Sequence, residues 1–261
     1  MSRHRFFLTD ELPIADGAEA VVLPLSPGDL HHAVAVLRVR TGEELDVVAP
    51  SGRVWRVAVA APSPDGLTAR VADELVDTTP AAPRVTLVFG VSKGSKNDGI
   101  VEGAVEVGIA EIVPVLTARS IVKLDAEKRH ERGERWRRVA LAAAKQSKRS
   151  GVPDVADPAG LAETVPMLDG YDLVLLAWEE ASALGTGISQ AVAAAGPLPA
   201  NARVAIVVGP EGGLAGEEVA AFERAGARTI TMGHTILRVE TAAVLASALV
   251  IHELGGLGNA Q

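Results

Sequence analysis

The feature that most constrains the fold is an unbroken apolar run over residues 204–208, which ends in the segment Gly209-Pro210-Glu211-Gly212-Gly213. Consecutive apolar, mostly β-branched residues are typical of a strand that is buried on both faces of a parallel sheet. Glycine permits main-chain geometry that a Cβ would block, and proline fixes one φ angle. The pattern therefore predicts a buried strand that delivers a loop of bare peptide groups to a small ligand.

This loop does not fit the common phosphate-binding motifs. No Lys-Ser or Lys-Thr pair follows the glycines, and their spacing differs from the GxGxxG fingerprint of dinucleotide-binding proteins. An adenosine-like ligand is therefore expected rather than a nucleoside triphosphate. The alternative is a plain strand-to-helix turn, in which Gly212 and Gly213 merely precede a helix that starts near Ala215.

A second segment, residues 236–243, places charged side chains at the start of an almost wholly apolar stretch over residues 242–251. Burying charged groups there costs desolvation free energy, so we expect these groups to have a function or a partner. Arg238 and Glu240 are therefore candidate catalytic residues, and a buried ion pair is the alternative interpretation. Thr241 is expected to be the N-cap of the final helix.

Together with blocks elsewhere in the chain, these motifs resemble one family, the RsmE-type 16S ribosomal RNA uridine-N3 methyltransferases of the SPOUT superfamily. The blocks stand in family order along nearly the whole chain. They are Arg5-Phe6-Phe7, residues 31–38, Lys93-Gly94-Ser95-Lys96, Glu106-Val107-Gly108-Ile109, residues 114–120, the loop 209–213, Gly233 and residues 236–242. Each block is weak alone, whereas the ordered set is specific.

The resemblance implies an α/β fold: a SPOUT-type, mainly parallel sheet with a C-terminal trefoil knot, preceded by a small PUA-like β-barrel. The sequence pattern agrees, because short strands and turns fill residues 1–76 and apolar strands alternate with helices over 77–261. A proline-marked linker is expected at about 77–83. Strands are predicted at 20–25, 44–49, 54–60, 67–72, 85–89, 111–116, 173–177, 204–208 and 229–232, and helices at 30–38, 98–107, 217–225 and 242–251.

The resemblance also implies S-adenosyl-L-methionine as the cofactor and methyl transfer to N3 of a uridine in 16S ribosomal RNA of the small subunit. Ala177, at the end of a predicted strand, is expected to line the adenosine pocket, whereas Trp178 is interpreted as a core residue. Arg238 is the candidate donor to the uracil oxygens, and Glu240 is the candidate base or the group that orients Arg238. The remaining expected cofactor contacts are Gly209, Pro210, Glu211, Gly212, Gly213, Met232, Gly233, Ile236, Leu237, Arg238, Thr241 and Ala242.

Charge is distributed unevenly. The chain has a net charge of −8, yet residues 119–149 contain eleven Lys or Arg against four Asp or Glu. At helical spacing, Trp136, Val139, Ala140, Ala143, Ala144 and Ser147 form an apolar face, and basic residues occupy the opposite side without a carboxylate from position 135 onward. This asymmetry predicts contact with RNA phosphates, and an ordinary solvated face is the alternative. The predicted RNA-binding residues are Arg5, Arg38, Lys93, Lys96, Arg119, Arg135, Arg138, Lys145, Lys148 and Arg149.

Composition excludes several classes of protein. The chain has no cysteine, so disulfides, thiolate catalysis and cysteine-bound metals are absent, and its six scattered histidines suggest no metal site. A start without a signal-peptide pattern and the short apolar runs predict a cytoplasmic protein, and the resemblance implies a homodimer. A SPOUT ribose 2′-O-methyltransferase and a non-catalytic RNA-binding protein are the alternatives. An oxidoreductase would need the missing GxGxxG motif.

Overall fold

The computed structural model describes residues 3–13, 20–75, 83–120, 124–181 and 185–257. The chain divides into two compact units, Met1–Thr78 with Ala144–Gly151, and Thr79–Ala143 with Val152–Gln261. Apart from Pro83, the predicted linker at 77–83 lies outside the described residues. Within the described ranges, no helix combines the length and apolar character needed to cross a membrane.

The first unit is built on a five-stranded sheet. Its elements are β1 Arg5–Phe7, β2 Val21–Val22, α1 Pro27–His31, a π-helical turn His32–Val36, β3 Glu44–Val48, β4 Val54–Ser63 and β5 Gly66–Leu75. The strand order is β1-β3-β4-β5-β2. Beyond β1, Leu8 pairs with Leu25, and the Thr9 N–H donates to the Pro24 carbonyl at 2.8 Å. These bonds join the two edges, so the sheet closes around a core that includes the buried Trp55.

The helix predicted at 30–38 begins earlier, at Pro27. Proline is favoured in the first helical turn because its missing N–H has no intrahelical partner there. The Ser26 hydroxyl caps this turn by accepting the Asp29 N–H at 3.1 Å. The predicted strand at 20–25 is reduced to Val21–Val22, and the three-residue strand β1 was not predicted.

The second unit contains a seven-stranded sheet. Its strands are β6 Arg84–Gly90, β7 Glu111–Leu116, β8 Asp154–Val155, β9 Ala159–Gly160, β10 Leu173–Ala177, β11 Arg203–Val208 and β12 Arg228–Ile230. The order is β12-β10-β11-β6-β7-β8, with β9 also on β7, and every pairing is parallel. The predicted mainly parallel α/β sheet is thus confirmed. All residues of β11 after Arg203 are buried, as its apolar run requires.

The helices are α2 Lys96–Val107, α3 Ala126–Gln146, α4 Leu161–Thr164 with a 3-10 turn Val165–Gly170, α5 Ile188–Ala195, α6 Gly216–Arg224 and α7 Val239–Glu253. Helix α2 packs closely on α7, because a Cβ on Gly103 would lie 2.6 Å from Val244 Cγ2. The expected apolar face of α3 is confirmed, since Trp136, Ala140, Ala143 and Ala144 are buried.

The predicted N-cap of the final helix is wrong. Helix α7 begins at Val239, with Arg238 as its N-cap residue, so Thr241 lies within the first turn and is exposed. The apolar pattern extends further toward the amino end than predicted, because Val239 is itself buried.

Candidate active site

A cavity of about 210 Å³ opens at the carboxyl edge of the parallel sheet of the second unit. Carboxyl ends of parallel strands meet at one edge, and ligands of open α/β sheets bind there. Ala177 and Val208 end β10 and β11, and Thr231 follows β12. The other lining residues are Trp178, Glu179, Gly209, Pro210, Glu211, Gly213, Met232, Gly233, His234, Thr235, Ile236, Leu237, Val239 and Ala242.

The loop 209–213 reaches the cavity with its main chain, and glycines allow this. A Cβ on Gly90, the last residue of β6, would overlap the Pro210 ring and lie 2.9 Å from the carbonyl carbon of Gly209. Gly213 has a φ of +69°, a conformation that other residues rarely adopt, and its N–H donates to the Pro210 carbonyl at 2.8 Å. The loop is therefore a tight turn pressed against the end of β6.

Two polar side chains stabilise this loop and the segments next to it. The Glu218 carboxylate, only 6% exposed, accepts the N–H of Ala118 at 2.7 Å and the N–H of Ala215 at 2.8 Å. Arg119 Nη1 donates to the Gly212 carbonyl at 3.0 Å. The role of Glu218 was missed, although a glutamate three residues after the N-cap position is a known helix-start signal.

Charged side chains of both signs gather beside the cavity. Lys96 forms an ion pair with Glu211, and the hydrogen bond to Glu211 raises the pKa of Lys96. Glu240 and Arg238 also lie within electrostatic range of Lys96. Glu240 Oε2 is buried without a hydrogen-bond partner among the described residues, whereas Arg238 is exposed. Within that part of the chain no ion pair joins Arg238 to Glu240 at 4 Å or less.

The structure brings together most of the residues predicted to contact the cofactor. All of them line the cavity except Gly212, Arg238 and Thr241. Sequence reasoning missed Val208, Glu179, Thr231, His234, Thr235 and Val239, most of which directly adjoin a strand end or a predicted residue. Trp178 packs against the core cluster as interpreted, but it also lines the cavity, and its buried Nε1 has no partner among the described residues.

The basic residues predicted to bind RNA fall into two groups. The first group already has partners in the protein. Arg5 pairs with Asp46 at 3.6 Å, Arg135 with Asp98 at 2.5 Å, Lys145 with Asp29 at 2.5 Å and Lys96 with Glu211, while Arg119 contacts the loop 209–213. Burial lowers the pKa of Arg149. The second group, Arg38, Lys93, Arg138 and Lys148, is exposed and has no carboxylate within 4 Å among the described side chains.

The basic face of α3 has no carboxylate of its own from position 135 onward, but carboxylates from other segments lie beside it. Asp98 and Asp29 come from other parts of the chain and neutralise Arg135 and Lys145. Arg137 is likewise paired, with Glu134 and Asp157 at 2.6 Å each. No group of three or more His, Asp or Glu side chains that could hold a metal ion occurs among the described residues.

The fold and the cavity are those of a parallel α/β protein that binds a small ligand at the carboxyl edge of its sheet. Residues 79–251 match the family model for an RNA methyltransferase domain, and residues 25–72 match the model for an RNA methyltransferase PUA domain. The chain belongs to the ribosomal RNA small subunit methyltransferase E family. It is 30% identical to the Bacillus subtilis member over 95% of this chain and 96% of the relative, and 35% identical to the Mycobacterium bovis member over 94% and 90%.

A solved member of the family has the same fold. The Neisseria gonorrhoeae ribosomal RNA small subunit methyltransferase E, bound to S-adenosyl methionine, superimposes with a TM-score of 0.77 at 25% identity, over 96% of this chain and 98% of that one. The family and the mainly parallel α/β fold expected from the sequence are confirmed. The cofactor expected from the sequence is the one bound in this solved relative.

Proposed function

We propose that the chain methylates N3 of a specific uridine in 16S ribosomal RNA of the small ribosomal subunit, with S-adenosyl-L-methionine as methyl donor. The observation that carries this proposal is the main-chain-lined cavity beside Arg238 and Glu240. Relatives over nearly the whole chain are named as small-subunit RNA methyltransferases, which supports the substrate class. The choice of uracil N3 is the finer step. Because the proposed substrate is ribosomal RNA, we propose that the protein acts in the cytoplasm.

The cavity suits the proposed donor. Its wall offers peptide groups from the loop 209–213, and the buried Trp178 Nε1 is a hydrogen-bond donor that needs an acceptor. When bound, S-adenosyl-L-methionine supplies an electrophilic methyl group. We propose that the cavity-lining residues predicted from the sequence contact it, with Gly212, Arg238 and Thr241 contributing from outside the cavity wall.

Arg238 and Glu240 are proposed to act on the uracil. N3 carries a proton in neutral uracil and lies on the Watson–Crick edge, so the base must be unpaired or extruded and must lose that proton. Glu240, with one buried and unpartnered carboxylate oxygen, is the proposed proton acceptor. The Arg238 guanidinium keeps its charge and donates to the uracil oxygens, on which negative charge develops.

RNA binding is proposed to involve both units. We propose a PUA-like RNA-binding barrel over residues 1–76 and a methyltransferase domain over 77–261, with 144–151 belonging to the barrel unit. Arg38, Lys93, Arg138 and Lys148 are the proposed phosphate contacts, because they are exposed and lack carboxylate partners. The other predicted RNA contacts would have to exchange a protein partner for phosphate.

We also propose a homodimer with a C-terminal trefoil knot. Leu245 and Leu249 are 40% and 38% exposed on α7 and, four residues apart, share one face. An exposed apolar helix face is covered when a second copy packs on it. Sedimentation should show a dimer for the native chain and a monomer for Leu245→Glu/Leu249→Glu. Met167→Glu, at a site that is 43% exposed, is the control and should remain dimeric.

The product identifies the reaction. Purified chain, labelled S-adenosyl-L-methionine and unmodified 16S RNA or small subunits are incubated, and the RNA is digested and analysed by mass spectrometry. We expect 3-methyluridine. A 2′-O-methylated nucleoside would favour the ribose methyltransferase, and neither cofactor binding nor product would favour a non-catalytic RNA-binding protein.

Two variants test the assigned roles. Arg238→Ala and Glu240→Gln should both lower kcat, because both groups act on the uracil. Glu240→Gln should leave the affinity for S-adenosyl-L-methionine near that of the native chain, whereas Arg238→Ala should also weaken it, because Arg238 is a proposed cofactor contact. Arg224→Ala and Glu217→Gln remove the same charges from exposed positions on α6 and should leave kcat unchanged. Near-native turnover in both site variants would refute the roles.

A further inference from the structure

The cavity wall is negatively charged. Two carboxylates, Glu179 and Glu211, line it, whereas no Lys or Arg is among its described lining residues. Glu211 is neutralised by its ion pair with Lys96. Glu179 has no cationic side chain within 4 Å among the described residues, so its charge is the one left uncompensated in the wall. Of the other lining side chains, only His234 can carry a positive charge.

The position of the Glu179 carboxylate depends on the loop opposite. Glu179 follows the end of β10 by two residues, and a Cβ on Gly213 would overlap Glu179 Oε1 and lie 3.1 Å from Glu179 Cδ. Gly213 therefore leaves the space in which the carboxylate lies against the loop 209–213. Arg119 Nη1 lies 3.5 Å from the same Cβ position and donates to the Gly212 carbonyl.

We propose that Glu179 makes this cavity selective for the charge of its ligand, so that it favours the sulfonium of S-adenosyl-L-methionine over the neutral thioether of the demethylated product. This inference rests on the proposed function. The two molecules share adenosine, an amino group and a carboxylate, and they differ by one methyl group and one positive charge. A carboxylate in the cavity wall attracts the cation and gains nothing from the neutral thioether.

Methyl transfer would then lower the affinity of the cavity for the cofactor, because the demethylated product is neutral at sulfur. In the transfer, the carbon–sulfur bond breaks with its electron pair left on sulfur, the bond from carbon to uracil N3 forms, and the N3 proton leaves to an acceptor. The sulfur thus loses its charge, while the Glu179 side chain takes no part in the transfer. The electrostatic attraction ends with the chemical step, which favours exchange of product for fresh donor.

A different role for Glu179 would give a different result. If the carboxylate held the amino group, which donor and product share, its removal would weaken both ligands by the same factor. If Glu179 instead selects the sulfonium, its removal should lower the affinity for the donor and leave the affinity for the product nearly constant. The ratio of the two dissociation constants therefore separates the two roles.

The test is titration calorimetry of the full chain with S-adenosyl-L-methionine, S-adenosyl-homocysteine and sinefungin, which carries an ammonium group where the donor has its sulfonium. Glu179→Gln should weaken the donor and sinefungin by about two- to fivefold, the range for a partly exposed charge pair. It should leave the product nearly unaffected. Glu211→Gln should have a smaller effect on this ratio, because Lys96 already pairs with Glu211.

Two further variants complete the design. Glu180→Gln removes the neighbouring charge, which lies outside the described cavity wall, and should leave all three affinities unchanged. Glu179→Asp keeps the charge and should keep the preference for cations. Equal weakening of donor and product in Glu179→Gln, or no change in either, would overturn the inference. A native chain that binds none of the three ligands would instead refute the proposed function.

Discussion

Replacing Gly90 by alanine tests whether the cofactor loop depends on close main-chain packing. The added Cβ would overlap Pro210 Cδ and N and lie 2.9 Å from the Gly209 carbonyl carbon, where ordinary contact begins at 3.4 Å. These are backbone and ring atoms, so the loop 209–213 has to move by several tenths of an ångström or more. Overpacking of a buried site costs about 1–3 kcal/mol. For a chain of this size that corresponds to a fall in Tm of about 2–12 °C.

The displaced loop should also bind S-adenosyl-L-methionine less tightly, by tenfold or more if about 1.4 kcal/mol is lost. Differential scanning fluorimetry and titration calorimetry measure the two effects. Gly99→Ala is the matched control, because Gly99 lies in α2 with no atom within 4 Å of a Cβ built there. Alanine is favoured over glycine in a helix, so this variant should melt at or above the native temperature. If Gly90→Ala binds the donor normally and melts with Gly99→Ala, the close-packing argument is wrong.

Three other perturbations follow from particular contacts. Glu218→Ala leaves the N–H groups of Ala118 and Ala215 without their acceptor, so we expect a loss of about 1–3 kcal/mol in denaturant unfolding, against little change for the exposed Glu217→Ala. Trp136→Ala removes a side chain that is 1% exposed and packs edge-on to Phe89 at 5.8 Å, which should cost about 3–5 kcal/mol by the same measurement. The Gly160 N–H and Arg129 hold the pKa of Glu163 below its usual 4.5. A carboxylate whose pKa is lower in the folded state stabilises the fold at pH values above its unfolded-state pKa. This contribution is lost as the pH falls through the folded-state pKa. The difference in Tm between the native chain and E163Q should therefore be present at pH 6 and shrink as the pH falls from 4.5 through the lower folded-state pKa of Glu163. A difference that stays constant with pH would contradict this assignment.

The strands of the second unit were the part of the fold most readily predicted from the sequence. Predicted strands 111–116 and 173–177 have the same bounds as β7 and β10, because burial on both faces gives an unbroken apolar pattern. The short strands β1, β8 and β9 have no such pattern. Their two or three residues are held by pairing with distant strands, as β1 is by β3.

The sequence predicted those parts of the candidate site whose main-chain geometry requires a particular residue type. Gly209 and Gly213 are needed for close approach or positive φ, and the loop 209–213 was recognised from its own glycines. Gly90, on which Pro210 packs, was not singled out. The sequence around Glu179 has no comparable signal. Its contribution depends on how β10 and β11 align at the carboxyl edge of the sheet, where the loops after both strands meet. That alignment is a property of the pairing register rather than of either segment.

The ion pairs on the basic face of α3 change the salt dependence expected for RNA binding. The sequence of α3 shows only its own carboxylates, whereas Asp98 and Asp29 pair with Arg135 and Lys145 from elsewhere in the chain. If all ten predicted residues neutralised phosphates of single-stranded RNA, log K would fall with log salt at a slope of about −7. If only Arg38, Lys93, Arg138 and Lys148 do so, the slope should be about −3. Filter binding of 16S RNA fragments between low and moderate salt separates the two values. A slope near −7 would mean that the internal ion pairs open on binding, in which case Asp98→Asn and Asp29→Asn should each strengthen binding.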